Sequence, residues 1–150
     1  IGGPFSVNKK SKDSIDIGID PHWKEPRYWA WKQALKECCT LYEEKYPELS
    51  HFKPWGLVEG VNIQYYPPGG GYFVPHFERG SIHENRNLVF MTYLNDVPEG
   101  GTHFKYQKLT TPAKKGLTLI WPTDFTHTHS GQITKEHEKY IITGWFGFLK

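Results

Sequence analysis

From residue 57 onwards the chain alternates short β-prone runs with turn sequences that are rich in glycine and proline. The runs are residues 61–66, 88–94, 102–107, 116–121, 125–129 and 139–148. Regular spacing of this kind, together with six Trp, nine Tyr and nine Phe, is typical of an antiparallel β-sandwich or barrel. Residues 88–94 are almost continuously apolar, which predicts a central strand buried on both faces.

The part of the chain before residue 57 contains one predicted helix. Residues 27–46 hold no glycine or proline and repeat apolar and aromatic side chains at helical spacing, and Pro26 suits the first helical position. Residues 14–19 alternate as an edge strand would. We therefore expect a single, mainly β domain over residues 1–150, in which the helix supports a β core at about 57–148.

Charge and composition argue against several classes of partner. The formal net charge of +2 arises from 18 basic and 16 acidic residues that are intermixed, so nucleic-acid binding is not expected. No apolar run approaches the ~20 residues of a membrane span, so no membrane association is expected. The two cysteines, Cys38 and Cys39, are adjacent and poorly placed to bridge one another. They predict a reducing, intracellular location, and we expect a cytoplasmic protein.

A turn of three glycines leads into an extended segment that ends in a His-x-Glu tripeptide, His76 to Glu78. In a β-strand residues i and i+2 point to the same face, so the imidazole and the carboxylate would lie side by side. Two histidines and one carboxylate, with coordination positions left open, suit non-haem Fe(II). The second histidine has two candidates, His127 and His129, which would share a face if their segment is extended.

A lysine opens the last β-prone run. Lys139 precedes an apolar stretch whose alternate residues would include Ile141 and Trp145 on the same face. Such a lysine is either a solvated strand end or an inward-facing charge. An inward-facing ammonium is costly unless an anion compensates it, so the second possibility predicts an acidic ligand.

The order and spacing of these residues resemble a known family. His76-x-Glu78, then His129, then Lys139 ten residues later is the pattern of the Fe(II)- and 2-oxoglutarate (2OG)-dependent dioxygenases, in the prolyl 4-hydroxylase-like branch. This lysine spacing favours His129 over His127. Further matches lie at residues 63–66, 93–97, 99–104 and 139–145, within a resemblance that covers residues 57–148. Two positions depart from the pattern: the carboxylate is Glu instead of the commoner Asp, and Gly-Gly-Glu-Thr is shortened to Gly-Gly-Thr.

The resemblance implies a fold and a set of site residues. The fold would be a double-stranded β-helix, the jelly-roll barrel of this family. The ligands of Fe(II) would be His76, Glu78 and His129. The contacts to 2OG would be Lys139, Tyr66 and Thr102, with Lys139 and the Tyr66 hydroxyl at the distal carboxylate of the keto acid.

The implied reaction is oxidative decarboxylation of 2OG to succinate with O2, coupled to hydroxylation of a C–H bond. A prolyl or other amino-acid side chain would be the target, in a peptide, a protein or a small molecule. Candidate substrate contacts are Tyr72, Arg86 and Trp145, and residues 79–87 form either a substrate lid or a plain connection. The alternative is a non-catalytic β-barrel module that holds a metal. A closed zinc site normally has four protein ligands, whereas this set offers three and no nearby cysteine.

Overall fold

The computed structural model of the chain describes residues 11–150. Its elements in chain order are β1 (Ile15–Ile19), α1 (Pro26–Lys45), α2 (Glu48–Phe52), β2 (Trp55–Leu57), β3 (Val61–Tyr66), β4 (Leu88–Tyr93), β5 (Thr102–Phe104), β6 (Leu109–Thr110), β7 (Thr118–Pro122), the 3-10 helix Phe125–His127, β8 (His129–Gly131) and β9 (Lys139–Phe148). The predicted class, mainly β with an N-terminal helix, is confirmed. The first ten residues of the expected domain lie outside the described part. Within residues 11–150 no helix is long and apolar enough to cross a membrane.

The strands form two antiparallel sheets. The larger sheet has the order β1-β3-β9-β4-β7, and β2 pairs with the C-terminal end of β9. The smaller sheet has the order β6-β5-β8. Between β7 and β8 the chain forms the 3-10 helix and does not continue a ladder. Across residues 11–150 the sheets therefore stay separate, and no closed barrel is found.

Strand β4 divides the apolar interior into two clusters. All six of its residues are buried, and it lies between β9 and β7, so the predicted central strand is confirmed. Val89, Met91 and Tyr93 belong to one cluster, whereas Leu88 and Phe90 belong to the other. This division follows from the two-residue period of a strand, and it gives the sheet an apolar surface on each face.

Helix α1 covers one of these two faces. It begins at Pro26 after Glu25, whose side chain accepts a hydrogen bond from the backbone of the first turn. Tyr28 and Leu35 are buried on one side of the helix, two turns apart, in the same cluster as Phe90. The predicted helix is confirmed to within one residue at each end.

The register of three strands brings polar residues together on the opposite face. Strand β1 pairs with β3, so the predicted edge strand is confirmed, and Asp16 lies opposite Gln64. Strand β3 also pairs with β9, which places Tyr66 opposite Lys139. The first residues of β9 and the last residues of β3 therefore lie next to each other at one end of the sheet.

Two segments differ from the predicted strands. Residues 71–79 form no regular strand and take part only in isolated bridges, at Tyr72 and His76. Pro75 lacks a backbone donor there, so a continuous ladder is interrupted. The predicted strand 125–129 is a 3-10 helix followed by a strand that begins at His129, and the Thr128 hydroxyl donates to the Phe125 carbonyl within the turn (2.8 Å).

Three short elements were not predicted. They are α2, β2 and β6, and each has five residues or fewer. The predicted strand at residues 102–107 ends at Phe104, because residues 105–108 form the turn into β6. Elements of this length contain too few residues to display a periodic pattern.

Candidate functional site

A cavity of about 910 Å³ is lined by residues from both sheets. Tyr66, Met91 and Lys139 belong to the larger sheet, whereas Thr102 and His129 belong to the smaller one. The irregular segment that precedes β4 adds further lining residues. This cavity contains all of the candidate metal and cosubstrate residues that the sequence identified.

The segment with the His-x-Glu tripeptide is tied to strand β8 by a backbone bridge. The amide of His76 donates to the carbonyl of His129 (3.0 Å), and the amide of His129 donates back (2.9 Å). The two rings are tilted, with centroids 4.4 Å apart. Glu78 Oε1 lies 3.3 Å from His76 Nε2 and 3.5 Å from His129 Nε2. The three ligand atoms thus lie within 4.8 Å of one another.

Each imidazole is held by a hydrogen bond from its other ring nitrogen. His76 Nδ1 lies 2.8 Å from the Val74 carbonyl, and His129 Nδ1 lies 2.8 Å from the His127 carbonyl. A carbonyl only accepts, so Nδ1 carries the proton in both rings. In the neutral rings the lone pairs are therefore on Nε2, which is the atom that faces Glu78.

The electrostatics of this cluster call for a cation. Burial opposes ionisation of Glu78, but when Nε2 of His129 and of His76 also carries a proton, the hydrogen bonds that these rings donate outweigh burial and hold the pKa of the carboxyl well below its ordinary value. When the two rings are neutral, the Glu78 carboxylate and the two Nε2 lone pairs converge on one small volume, and they repel each other unless a positive charge lies between them. Two imidazole nitrogens and one carboxylate oxygen are a donor set that fits Fe(II).

His127 lies outside this cluster. Its Nδ1 lies 3.0 Å from the Thr126 hydroxyl, and its side chain does not line the cavity. Because residues Phe125–His127 are a 3-10 helix, His127 and His129 do not share the face that an extended segment would give them. Within the described chain the histidine that completes the group is His129.

Lys139 is an inward-facing charge. Its side chain is buried, with the residue only 5% exposed, and Nζ donates to the carbonyls of Gly100 (2.9 Å) and Gln132 (3.3 Å). Burial lowers the pKa of Lys139 from 10.5 to about 8. No carboxylate of residues 11–150 forms an ion pair with it. The cavity therefore offers a buried ammonium whose charge is not neutralised by the protein around it.

The other two candidate cosubstrate residues are buried nearby. Lys139 Nζ lies 5.2 Å from the centre of the Tyr66 ring, and the Tyr66 hydroxyl donates to Gln64 Oε1 (2.7 Å). Burial, followed by the charges of Asp16 and Glu78, raises the pKa of Tyr66, so its hydroxyl stays protonated. The Thr102 hydroxyl is 2.8 Å from that of Tyr93.

The three candidate substrate residues all line the same cavity. The Tyr72 ring is stacked on the His76 ring, with centroids 3.6 Å apart and planes 14° apart. The guanidinium of Arg86 lies 3.7 Å from the centre of the Trp145 ring. Arg86 is buried and bound to Glu59, so its guanidinium is already occupied by a partner within the protein.

Sequence reasoning missed a polar chain at the cavity wall. Gln64 Nε2 donates to Asp16 Oδ2 (3.2 Å), and Lys12 pairs with the same carboxylate oxygen. Glu59 was missed as well. A signal was present, because Asn62, Gln64 and Tyr66 alternate with apolar residues along β3 and so mark a polar face.

Comparisons with known proteins bear on the fold and the family. Residues 61–147 match the sequence profile of the 2OG-Fe(II) oxygenase superfamily. A search of curated proteins found no significant match. Among solved structures, the 2OG complex of the viral collagen prolyl hydroxylase vCPH from Paramecium Bursaria Chlorella virus-1 superposes with a TM-score of 0.69. Its identity is 20%, over 93% of this chain and 81% of that one.

Two further structures are similar. A prolyl-4-hydroxylase from Pseudomonas putida has a TM-score of 0.71 and 17% identity, over 98% of this chain and 78% of that one. A prolyl hydroxylase from Trichoplax adhaerens, in complex with a hypoxia inducible factor peptide fragment, has a TM-score of 0.67 and 15% identity, over 95% of this chain and 66% of that one. At these identities the likeness concerns the fold. The profile match covers more than half of the chain and confirms the predicted superfamily: this chain belongs to the 2OG-Fe(II) oxygenases.

Proposed function

We propose that this protein is an Fe(II)- and 2OG-dependent dioxygenase that hydroxylates a C–H bond of its substrate. The observation that carries the proposal is the convergence of His76 Nε2, His129 Nε2 and Glu78 Oε1 in a cavity that also contains a buried, uncompensated Lys139. The first three would hold the metal. The fourth would bind the anionic end of the keto acid.

The cosubstrate contacts follow from charge and hydrogen bonding. The Lys139 ammonium supplies the positive charge that the distal carboxylate of 2OG requires, and the two carbonyls bound to Nζ fix its direction. The Tyr66 hydroxyl donates to Gln64 and would turn from it to donate to the same carboxylate. Thr102 is the further proposed contact, with a hydroxyl already oriented by Tyr93.

The bound Fe(II) and 2OG supply the oxidising chemistry that turns O2, 2OG and substrate into CO2, succinate and an alcohol. The protein orients the two imidazoles through the carbonyls of Val74 and His127, which presents Nε2 to the metal. Met91, Trp121 and Ile141 give the cavity an apolar wall that limits access of water.

The finer features of the sequence prediction belong to this proposal. We infer that the two sheets are the halves of a jelly roll, which the fold similarity to prolyl hydroxylases supports. A prolyl or other amino-acid side chain remains the proposed target, in a peptide or a small molecule. Tyr72 and Trp145 are the proposed substrate contacts. The reducing, cytoplasmic location stays a prediction.

A screen for succinate release tests this function. The iron-loaded protein is incubated with 2OG and O2 together with peptides, free amino acids or nucleotides, and succinate is measured. We expect slow release without substrate and faster release with the right one. A metal-loaded protein that neither binds nor decarboxylates 2OG under any of these conditions would instead be the non-catalytic metal-holding module.

A further inference from the structure

Arg86 is buried behind the carboxylate of the proposed metal site. The residue is 8% exposed, and its guanidinium carbon lies 3.7 Å from the centre of the Trp145 ring. Nη2 donates to Glu59 Oε2 (2.6 Å), and Nε donates to the other oxygen of Glu59. This two-point contact and the contact with the ring restrain the guanidinium, so Nη1 points in a defined direction.

That direction is towards Glu78. Arg86 Nη1 lies 3.9 Å from Glu78 Oε2, whereas Oε1 is the oxygen that faces the two imidazoles. The two oxygens of one carboxylate thus have different surroundings. Oε1 faces the proposed metal position, and Oε2 faces a fixed positive charge.

The backbones of these residues are joined through one buried residue, Thr123. The Thr123 hydroxyl donates to the Arg86 carbonyl (2.7 Å), and the Thr123 carbonyl accepts from the Glu78 amide (3.0 Å). Thr123 is 1% exposed, so this connection is shielded from water. These two bonds therefore restrain the distance between the Arg86 and Glu78 backbones.

A glutamate ligand needs such a restraint. It has one more methylene than aspartate and one more rotatable bond, so its carboxylate can rotate to offer a metal either one oxygen or both. A second bound oxygen would occupy a position that a bidentate keto acid or O2 requires.

We infer that Arg86, held by Glu59 and Trp145, is a positioning residue that keeps Glu78 Oε2 away from the metal. Glu78 then binds through Oε1 alone and leaves the positions for 2OG free. The inference rests on the proposed function, because it assigns a role to Arg86 only if Glu78 is a metal ligand. It also gives Arg86 a structural part in the site in place of the substrate contact that the sequence predicted.

The test uses Co(II) in place of Fe(II), which avoids oxidation and does not depend on turnover. Wild type, Arg86→Met, Arg86→Lys and Glu59→Gln are loaded with Co(II) and titrated with 2OG, and circular dichroism checks their folding. Arg79→Met is the matched control. It removes a guanidinium of the same loop that pairs with Asp124 and lies next to Glu78 in sequence.

We expect Arg86→Met to bind Co(II) but to weaken 2OG binding by about tenfold, a loss of the order that metal affinity shows when a residue supporting a metal ligand is removed. Glu59→Gln keeps the guanidinium and Arg86→Lys keeps the positive charge, so each should lose less 2OG affinity than Arg86→Met. Arg79→Met should match wild type. Crystals of the Co(II) complexes should show one Glu78 oxygen bound in wild type and both, or a rotated carboxylate, in Arg86→Met.

Two results overturn the inference, and two others overturn the proposed function. The inference fails if Arg86→Met and Glu59→Gln keep wild-type 2OG affinity and one-oxygen binding, or if Arg79→Met shows the same loss as Arg86→Met. If Arg86→Met does not fold, Glu59→Gln and Arg86→Lys decide by the same criteria. The proposed function itself fails if wild type binds no Co(II), or binds Co(II) without 2OG.

Discussion

Replacement of Lys139 by Met should abolish the binding of 2OG and should also change how the stability of the protein depends on pH. Methionine keeps a long unbranched side chain but removes the charge. The proposal predicts that the variant no longer binds 2OG, because the distal carboxylate loses its counter-ion. It also predicts that the variant escapes the cost of a buried ammonium, so its stability depends on pH differently from that of wild type.

The size of that difference follows from the pKa of Lys139. The pKa is 10.5 for an ordinary lysine and about 8 in the folded protein, which corresponds to about 3 kcal/mol at roughly 1.4 kcal/mol for each tenfold change in proton affinity. Between pH 8 and 10.5 the unfolded chain binds this proton and the folded chain does not. The free energy of unfolding of wild type should therefore rise with pH in this window, relative to Lys139→Met.

Urea denaturation of metal-free wild type and Lys139→Met, from pH 7 to pH 11, measures the effect. All other titrating groups are common to the two proteins, so their contributions cancel in the difference between the two unfolding free energies. The carbonyls of Gly100 and Gln132 lose a donor in the variant, which adds an offset that does not vary with pH. A difference that stays constant across this range would refute the argument that Lys139 is buried and uncompensated.

The remaining predictions concern cosubstrate binding, metal binding and packing. Binding of 2OG should weaken by about tenfold per pH unit above pH 8, because Lys139 loses its proton in the free protein. Titration calorimetry with a Co(II)-loaded sample would measure this, and an affinity that does not change with pH would contradict it. His129→Ala should lower metal affinity by more than about 100-fold, which is beyond the range for a residue that only supports a ligand, whereas His127→Ala should leave metal affinity unchanged. An equilibrium metal competition assay measures both variants. A larger loss of affinity in His127→Ala than in His129→Ala would make His127 the ligand. Gly144→Ala should destabilise the fold by about 1–3 kcal/mol in urea, since a Cβ there would lie 2.4 Å from Phe90 Cζ in a packed core, and a neutral result would show that the ring moves freely.

The larger strands and the long helix were predictable because each repeats a pattern over several residues. Strand β4 has an apolar run, and α1 places Tyr28 and Leu35 on one face after a proline at its first position. Elements α2, β2 and β6 are too short to show a period. Their existence depends on tertiary contacts, such as the pairing of Trp55 with Phe148 at the end of β9.

The segment that carries His76 and Glu78 shows how a correct residue set can be reached through an incorrect local structure. The predicted strand is absent, yet both side chains enter one cavity. A backbone bridge to His129 and the bond from the Glu78 amide to Thr123 orient them instead of a strand period. Such contacts join residues about 45 to 53 positions apart in the chain, and a local pattern contains no trace of them.

Local sequence patterns could decide neither which histidine is the ligand nor whether Lys139 faces the interior, and the missing information differs between the two cases. The residues alone left His127 and His129 equivalent, because the 3-10 helix that separates their faces was not predicted. The direction of Lys139 depends on its register opposite Tyr66, which only the pairing of β3 with β9 defines. The Glu59–Arg86 pair had no signal, since an acid and a base 27 positions apart are common in any chain.

Anaerobic equilibrium binding tests the central claim most directly. Fe(II) and 2OG are titrated together into wild type, Glu78→Ala and Lys139→Met, and the bound amount of each is measured. We predict one Fe(II) and one 2OG per wild-type chain, loss of Fe(II) in Glu78→Ala, and loss of 2OG with Fe(II) retained in Lys139→Met. Full binding of Fe(II) by Glu78→Ala, or of 2OG by Lys139→Met, would contradict the account.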